Sequence, residues 1–442
     1  MAPTGAVRAG MAPSPHMAGL PSAARNRRSG LDPLLWAITV LLVLAGAGLA
    51  LALVAELAAP MASGPHHDFL AFYAAGKLVL DGRPGGLYDP SAITAIQRTV
   101  IPVPVGANGY MPFINPPFAA VAFAPLALLP AAASRVAWAL LSVAMLVAAA
   151  AWMARPLPPR ERIATVLLVV LSFPAYHSLA EGQWSAAMLL GGLAALVAAR
   201  RGSWTLAGVA LATWWLKPQL AVLPLVALAL DRRWTAVVST VATGAVLAIA
   251  SLPFVGIGAY VTYVGYVVQV GLSHFNGAGA IAPSVWQGNL TTAEGLNGFL
   301  VGVLGQGSVV GVDAAWGALS VGLVLLWLIA ASRTRPGFAT LQGRRMVAAG
   351  IGIVLLVNPN LFVQDCLLVF LLLPALWPLP GASYWRAAVG VAVLAAITLV
   401  DQPLASHLFT VALFALVIGI CAAAIAPRAT AAPSTPPAFA PR

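Results

Sequence analysis

Residues 34–57 read LLWAITVLLVLAGAGLALALVAEL, and Glu56 is the one charged residue in this run. At 1.5 Å per residue a helix over these residues is about 36 Å long, which exceeds the roughly 30 Å hydrocarbon core of a bilayer. The run is too long for the apolar part of a signal peptide, so we expect a retained first membrane helix.

The same apolar character extends along the whole chain. Of its 442 residues 61% are hydrophobic and only 8% are charged, whereas about a quarter are charged in soluble domains. Lys and Arg are abundant in one gap between apolar runs and scarce in the next, and this alternation continues along the chain as the positive-inside rule requires. The formal net charge of +11 comes from arginines in short clusters at helix ends, where they set orientation. The sequence therefore predicts an all-α, polytopic membrane helix bundle and no nucleic-acid partner.

With a cytoplasmic N-terminus, hydropathy predicts about twelve crossings between residues 31 and 426. Two long outer loops, at about 58–130 and 253–307, are expected to contain interfacial helices. The cytoplasmic ends, 1–30 and 427–442, are rich in Ala and Pro and are predicted to be disordered. In this topology most Asp and Glu residues lie at or beyond the outer face, which favours an outer location for the chemistry.

Two places in the predicted bundle carry polar residues against the apolar background. A hairpin of helices at 163–179 and 184–199 turns at Glu181-Gly182-Gln183. The segments 204–216 and 220–230 meet at Lys217-Pro218-Gln219, and each is too short to cross the core alone. We expect these two segments to form a broken hairpin buried within the bundle.

The first outer loop opens with His66-His67-Asp68, followed by apolar residues at the helical spacing of Phe69, Phe72, Tyr73, Gly76 and Leu80. This pattern predicts a helix that lies with one face on the membrane surface. Taken alone, Asp68 is explained as a helix N-cap, and Lys77 with Asp81 as a surface ion pair one turn apart.

The order of several motifs resembles that of glycosyltransferase family 87. They are Asp68 followed by Tyr73-Ala74-Ala75-Gly76, Asp81-Gly82, Leu87-Tyr88-Asp89-Pro90, Asn115-Pro116-Pro117, Glu181-Gly182-Gln183, Leu216-Lys217-Pro218-Gln219 and Asn358-Pro359-Asn360 before Asp365. The resemblance extends over most of residues 65–375 and rests on the order and placement of the motifs rather than on any one of them.

This resemblance implies a membrane-embedded glycosyltransferase of the GT-C type whose sugar comes from a polyprenyl monophosphate. It implies that Asp68 is the general base, and that mannose is transferred to a lipid-linked or cell-envelope glycan. One carboxylate is enough for this reaction. A sugar phosphate already carries a good leaving group, so only the acceptor hydroxyl must be deprotonated. The implied site faces the periplasmic or extracytoplasmic side of the cytoplasmic membrane.

A departing phosphate needs positive charge, and few cations lie at the outer face in this topology. Lys217, Lys77 and Arg83 are the predicted phosphate-binding residues, ahead of Arg98 and Arg135. Lys217 is the sharpest prediction because it stands in the break between two short apolar helices. The alternative for Lys217 is that its side chain extends to the outer interface.

Predicted substrate contacts complete the site, namely Tyr73, Gln183, Gln219, Trp286 and Asn289. Glu181 and Asp365 are weaker candidates, since a plain turn explains the first and N-capping the second. The adjacent histidines 66 and 67 lack the helical spacing of metal ligands, and neither a metal nor another cofactor is expected.

A transporter or flippase for a lipid-linked or small anionic substrate is the main alternative function. It needs polar residues through the bilayer midplane, and the predicted helices carry few apart from Lys217 and Asp313. A non-catalytic assembly subunit would share the predicted topology.

Overall fold

The computed structural model of the protein describes residues 31–59, 68–102, 111–276, 293–304, 309–334, 336–359, 361–379, 381–404 and 407–426. Over these ranges the secondary structure is helical, and an isolated bridge between Glu294 and Leu361 is the sole β-type pairing. The all-α prediction is confirmed. The predicted disordered ends, 1–30 and 427–442, lie outside the described residues.

The first half of the described chain forms eight helices: α1 (Leu31–Ala58), α2 (Phe69–Leu80), α3 (Pro90–Val100), α4 (Pro117–Ala127), α5 (Ala131–Ala154), α6 (Pro159–Val170), α7 (Phe173–Glu181) and α8 (Ser185–Arg200). The second half forms α9 (Trp204–Leu211), α10 (Pro218–Leu230), α11 (Trp234–Asn276), α12 (Leu296–Leu304), α13 (Val309–Thr334), α14 (Leu341–Val357), α15 (Leu372–Leu376), α16 (Gly381–Leu404) and α17 (Leu408–Ile425). Short 3₁₀ helices occupy Pro84–Gly86, Ala212–Leu216 and Val363–Leu371.

Within the described residues, six helices are long and apolar enough to cross a membrane, namely α1, α5, α11, α13, α16 and α17. The pair α6 and α7, bent by 45°, adds a seventh if it is counted as one span. The predicted helix at 163–179 is therefore broken, because Ser172 caps a new helix whose second residue is Pro174. The prediction of about twelve crossings is not confirmed, since the other apolar helices are shorter.

Helix α2 begins and ends where the sequence predicts, but its environment differs from the prediction. Phe69–Gly76 are all buried, as are Leu78 and Val79, so the helix is enclosed instead of lying with one face on a membrane surface. The face opposite the predicted apolar stripe is apolar too, and a helix that is hydrophobic all round is buried. Helix α4 covers α2 at close range, because a Cβ on Gly76 would lie 2.9 Å from the Cβ of Ala127.

The predicted break at Lys217 is confirmed. The backbone leaves the 3₁₀ helix at Lys217, with φ −132° and ψ 82°, and α10 begins at Pro218. Only the start of α10 is buried, at Leu220 and Ala221, so the second arm of this hairpin is more open than predicted. Trp214 anchors the first arm by donating its indole N–H to the carbonyl of Met188, 2.9 Å away.

The second outer loop, predicted at about 253–307, begins as helix instead, because α11 continues from Trp234 through Asn276. Pro253 removes one amide donor and Gly256 adopts φ +68°, so the helix kinks there and resumes.

At the centre of the bundle lies the 363–376 segment, made of the third 3₁₀ helix followed by α15. Every residue from Val363 to Ala375 is buried. Cys366 in this segment and Cys421 in α17 are both buried free thiols. The 363–376 segment joins two polar regions of the bundle, and the first of them contains Asp68.

Candidate active site

Asp68 stands at the N-cap position of α2, yet its side chain makes no capping hydrogen bond. Its carboxylate oxygen Oδ2 instead accepts a hydrogen bond from the Nε2 of Gln183. The backbone N–H of Asp68 points to the Oε2 of Glu181, 3.4 Å away. The explanation of Asp68 as an ordinary N-cap is therefore wrong, because its carboxylate is directed to the hairpin tip between α7 and α8.

The tip Glu181-Gly182-Gln183 is held by two contacts. Gly182 adopts φ +71°, which a glycine tolerates without strain, and a Cβ there would lie 2.7 Å from the Cβ of Phe69. Trp138 of α5 donates its indole N–H to the carbonyl of Gly182 over 2.7 Å. Gln183 is buried, so its amide has few orientations available beside Asp68.

Lys217 and Asp365 form a buried ion pair next to this carboxylate. The ammonium Nζ of Lys217 lies 2.6 Å and 2.8 Å from the two carboxylate oxygens of Asp365. Ser185, the first residue of α8, donates its hydroxyl to Asp365 at 3.0 Å. The Lys217 side chain is 12% exposed and that of Asp365 is 1% exposed, so Lys217 does not extend to solvent as the alternative required.

The Asp68 carboxylate and the ion pair of Lys217 with Asp365 are close enough to interact electrostatically. Burial raises the pKa of the Asp68 carboxyl above its ordinary value, while the positive charge of Lys217 and the hydrogen bond from Gln183 lower it. The negative charge of Asp365 raises this pKa again. A carboxylate whose ionisation is disfavoured by burial binds a proton more readily, which is the property a general base needs.

Asn115 fixes the loop that precedes Lys217. Its side-chain amide donates to the carbonyl of Leu216 over 2.7 Å, and its own carbonyl accepts the hydroxyl of Tyr88 over 2.8 Å. The ring of Tyr88 packs against Tyr263 of α11, with centroids 5.6 Å apart. This explains why a polar Asn stands in an apolar sequence, a feature to which sequence reasoning gave no role.

A second buried ion pair lies at the same end of the bundle. Arg135, at the start of α5, contacts the Oε1 of Glu56 at 3.1 Å. Arg135 also interacts electrostatically with Glu181, and so links α1 to the hairpin tip. Its engagement with Glu56 makes it a structural cation of this region.

The other predicted residues lie in different settings. Lys77 is half-exposed and lies 3.6 Å from Asp81, which confirms the predicted ion pair one turn apart. Arg83 and Gln219 are exposed, and Tyr73 is buried with its hydroxyl donated to the carbonyl of Leu129 over 3.1 Å. Contact of these four with substrate stays a prediction.

Four further candidates, His66, His67, Trp286 and Asn289, lie outside the described residues. In the part of the chain that the structure places, no group of three His, Cys, Asp or Glu side chains could hold a metal ion.

Ser185 and the pairing of Asp365 with Lys217 are the parts of the site that the sequence did not reveal. Lys217 and Asp365 are 148 positions apart, and Ser185 and Asp365 are 180 apart. Asp365 follows a turn at the start of a 3₁₀ helix, which resembles an N-cap, but the N-cap residue is Phe362. The sequence offers one indication of this pair. Lys217 and Asp365 are a lysine and an aspartate that each stand in an apolar segment where a helix is interrupted.

Comparison with known proteins gives one match. The sequence model of glycosyltransferase family 87 matches residues 113–359, more than half of the 442-residue chain. The matched region contains Asn115, Gln183, Ser185 and Lys217, whereas Asp68 precedes it and Asp365 follows it. No curated protein and no solved structure matches the chain.

Proposed function

The chain belongs to glycosyltransferase family 87, and on this premise we propose that it is a membrane glycosyltransferase whose general base is Asp68. The substrates proposed are a polyprenyl-phosphate sugar as donor, with mannose as the sugar, and a lipid-linked or cell-envelope glycan as acceptor. Family membership favours a transferase over the transporter considered from the sequence.

The observation that carries this proposal is the orientation of the Asp68 carboxylate. Asp68 stands at the start of a buried helix, but its side chain does not cap that helix. The carboxylate instead accepts a hydrogen bond from the amide of Gln183, in a region that also contains Lys217. The carboxylate is thus fixed in position while its charge is compensated by a hydrogen bond and a nearby cation. This is the arrangement expected of a base that must act on one hydroxyl at a defined place.

In the proposed reaction the acceptor hydroxyl oxygen forms a bond to the anomeric carbon of the donor sugar. The bond from that carbon to the phosphate oxygen breaks, and its electron pair leaves with the polyprenyl phosphate. Asp68 takes the proton of the acceptor hydroxyl. No acid is needed for the leaving group, since a phosphate leaves as a stable anion.

Lys217 is proposed to stabilise the charge that develops on this phosphate. An ammonium group has three N–H donors, and among the described contacts two are directed to the carboxylate of Asp365. The remaining donor is available to a phosphate oxygen, and the ion pair fixes its direction. The carbonyl Oε1 of Gln183, buried and with no partner among the described residues, offers an acceptor for a sugar hydroxyl.

The proposed location is the cytoplasmic membrane with the Asp68 region on the extracytoplasmic side. The support is the positive-inside rule, since the end of the bundle opposite Asp68 carries clustered arginines such as Arg200, Arg201 and Arg344.

Turnover by the purified full-length protein in detergent, with a radiolabelled polyprenyl-phosphate mannose and lipid-linked acceptors, tests the proposal. Loss of a general base lowers the rate by about 10²- to 10⁴-fold, so Asp68→Asn is expected to lose that much activity. The matched control is Asp89→Asn, because Asp89 is an exposed N-cap in the same loop that accepts from Ser91. Full activity of Asp68→Asn would refute the role of the base, and no turnover with any acceptor would refute the transferase.

A further inference from the structure

Helix α8 separates two polar regions of the bundle. Ser185, at its first residue, lies in the Asp68 region, and Arg200 is its last residue. At 1.5 Å per residue these ends are about 24 Å apart. The second region therefore lies well away from the proposed catalytic site.

Two arginines of this second region bind the C-terminal end of the 363–376 segment. Arg200 donates to the carbonyls of Pro374 and Ala375, the second at 3.2 Å. Arg344 donates to the carbonyls of Leu376 and Pro378, each at 3.2 Å. Backbone carbonyls at a helix C-terminus carry partial negative charge, so these contacts hold the arginines without cancelling their full charges.

A cavity of about 460 Å³ opens beside Arg200. Arg155 and Arg201 also line it, together with aromatic side chains that include Trp152, Trp377 and Tyr384. Throughout the chain segments that the structure covers, no ion pair joins these three arginines to a carboxylate. The cavity thus carries a concentrated positive charge that calls for an anionic occupant.

An adjoining cavity of about 540 Å³ is largely apolar, and its charged lining residues are Arg200 and the ion pair of Asp231 with Arg233. It lies among α8, α9, α10, α13 and α14, and its lining includes Trp204, Trp214 and Trp327. The two cavities share Arg200 and Phe338, whose ring lies 4.8 Å below the Arg200 guanidinium carbon. An occupant that fits both must have an anionic head and an apolar chain.

We propose that these two adjoining cavities, which share Arg200 and Phe338 in their linings, form a binding site for an anionic phospholipid. Its phosphate group lies among Arg155, Arg200 and Arg201, and an acyl chain fills the apolar cavity. Basic pockets between membrane helices recognise anionic head groups in this way. The site is distinct from the proposed donor site, because the donor phosphate is assigned to Lys217 at the other end of α8.

Native mass spectrometry of the full-length protein in detergent tests the proposal. Phosphatidylglycerol and phosphatidylcholine with identical acyl chains are titrated separately, and inorganic phosphate is titrated alone. We expect retention of phosphatidylglycerol over phosphatidylcholine. The double variant Arg155→Ala/Arg201→Ala is expected to bind phosphatidylglycerol about 25-fold more weakly, at about fivefold per arginine. Both residues are exposed, so their replacement leaves the core intact.

Two matched controls separate the head-group contacts from the chain contacts. Arg345→Ala removes one positive charge, as each of the two substitutions does, from an exposed residue that lines neither cavity, and it is expected to leave binding unchanged. Ala227→Phe fills the apolar cavity and is expected to weaken lipid binding, whereas Ala229→Phe on the same helix lies outside the lining and is not.

Three results would overturn the proposal. They are equal retention of the two lipids, unchanged phosphatidylglycerol binding in the double arginine variant, and binding of inorganic phosphate with no preference for the anionic lipid. The last result would assign the basic cavity to a soluble anion. None of them bears on sugar transfer, which is measured separately.

Discussion

At the residue scale, Asp68 combines burial with partial compensation of its charge. The compensation comes from Lys217 and Gln183, both of which lower the pKa of a carboxyl that burial has raised. The charged form of the proposed base is its active form, so activity is expected to rise as the pH increases through this pKa. The pH profile therefore reports on the neighbours of Asp68.

Replacing Gln183 by Leu is expected to move the acidic limb of the kcat/KM profile to higher pH. The substitution removes a hydrogen bond to the ionised carboxylate, which raises the pKa of Asp68 further and leaves less of the base ionised at a given acidic pH. The measurement is turnover against pH, with Gln342→Leu, on the far α14, as the control. An acidic limb that stays in place, or moves to lower pH, would show that Gln183 does not tune Asp68.

The ion pair of Lys217 and Asp365 gives a second prediction at this scale. Asp365→Asn leaves a buried ammonium without its counter-charge and is expected to cost about 3–5 kcal/mol of stability. The double variant Lys217→Met/Asp365→Leu should cost less, because no charge is left unpaired. Denaturation of the detergent-solubilised protein measures both.

Asp81→Asn is the matched control for this experiment. It breaks the more exposed pair with Lys77 and should cost no more than about 0.5 kcal/mol. A double variant as unstable as Asp365→Asn would contradict the account of the pair.

At the scale of elements, the close packing of α2 on α4 positions the start of α2, and Asp68 with it. Gly76 makes this approach possible, since any Cβ there would lie 2.9 Å from the Cβ of Ala127 and 3.3 Å from the Cα of Ala124. The predicted membrane-surface helix is instead an internal element, because a second apolar helix is available to cover it.

Gly76→Val is accordingly expected to destabilise the protein by about 1–3 kcal/mol through overpacking and to lower turnover by displacing α2. Thermal unfolding in detergent and the transfer assay measure the two effects. Gly85→Ala is the control, because a Cβ at Gly85 meets no atom within 4 Å. Equal melting temperatures for the two variants would show that α2 and α4 are not tightly packed.

Two interruptions between helices also carry residues of the site. One is the break between α9 and α10, which holds Lys217, and the other is the hairpin tip between α7 and α8, which holds Gln183. Both could be predicted from the sequence. Pro218 restricts the backbone at the break, and Gly182 allows the positive φ at the tip. The places where polar side chains interrupt apolar helices could be predicted from the sequence. Their partners could not, because Lys217 contacts a residue 148 positions away.

At the scale of the whole molecule, the acidic side chains at one end of the bundle are accompanied by the paired cations Lys217 and Arg135, whereas clustered arginines lie at the other end. Asp68, Glu181 and Asp365 lie at the first end, and Arg200 and Arg344 at the second. The proposed orientation follows from this asymmetry, because clustered arginines favour the cytoplasmic side and Asp68, the proposed base, would then face outward.

Cysteine labelling tests this orientation. With a membrane-impermeant maleimide on intact cells stripped of outer barriers, Gly85→Cys is expected to react, and Arg201→Cys only after permeabilisation. Both positions are exposed, and the native Cys366 and Cys421 are buried, so the parent chain should stay unlabelled. The reverse pattern would place Asp68 in the cytosol and refute the proposed use of an outer-face donor.

The sequence by itself determined the helical membrane class, the family, the start of α2 at Asp68 and the break at Lys217, because hydropathy and the backbone preferences of Gly and Pro are local properties. Tertiary structure alone decided that the Asp68 carboxylate is aimed at Gln183, that Asp365 neutralises Lys217, and that α2 is buried. Those outcomes depend on which distant helices come into contact, and an apolar helix fits many partners equally well until the whole bundle is packed.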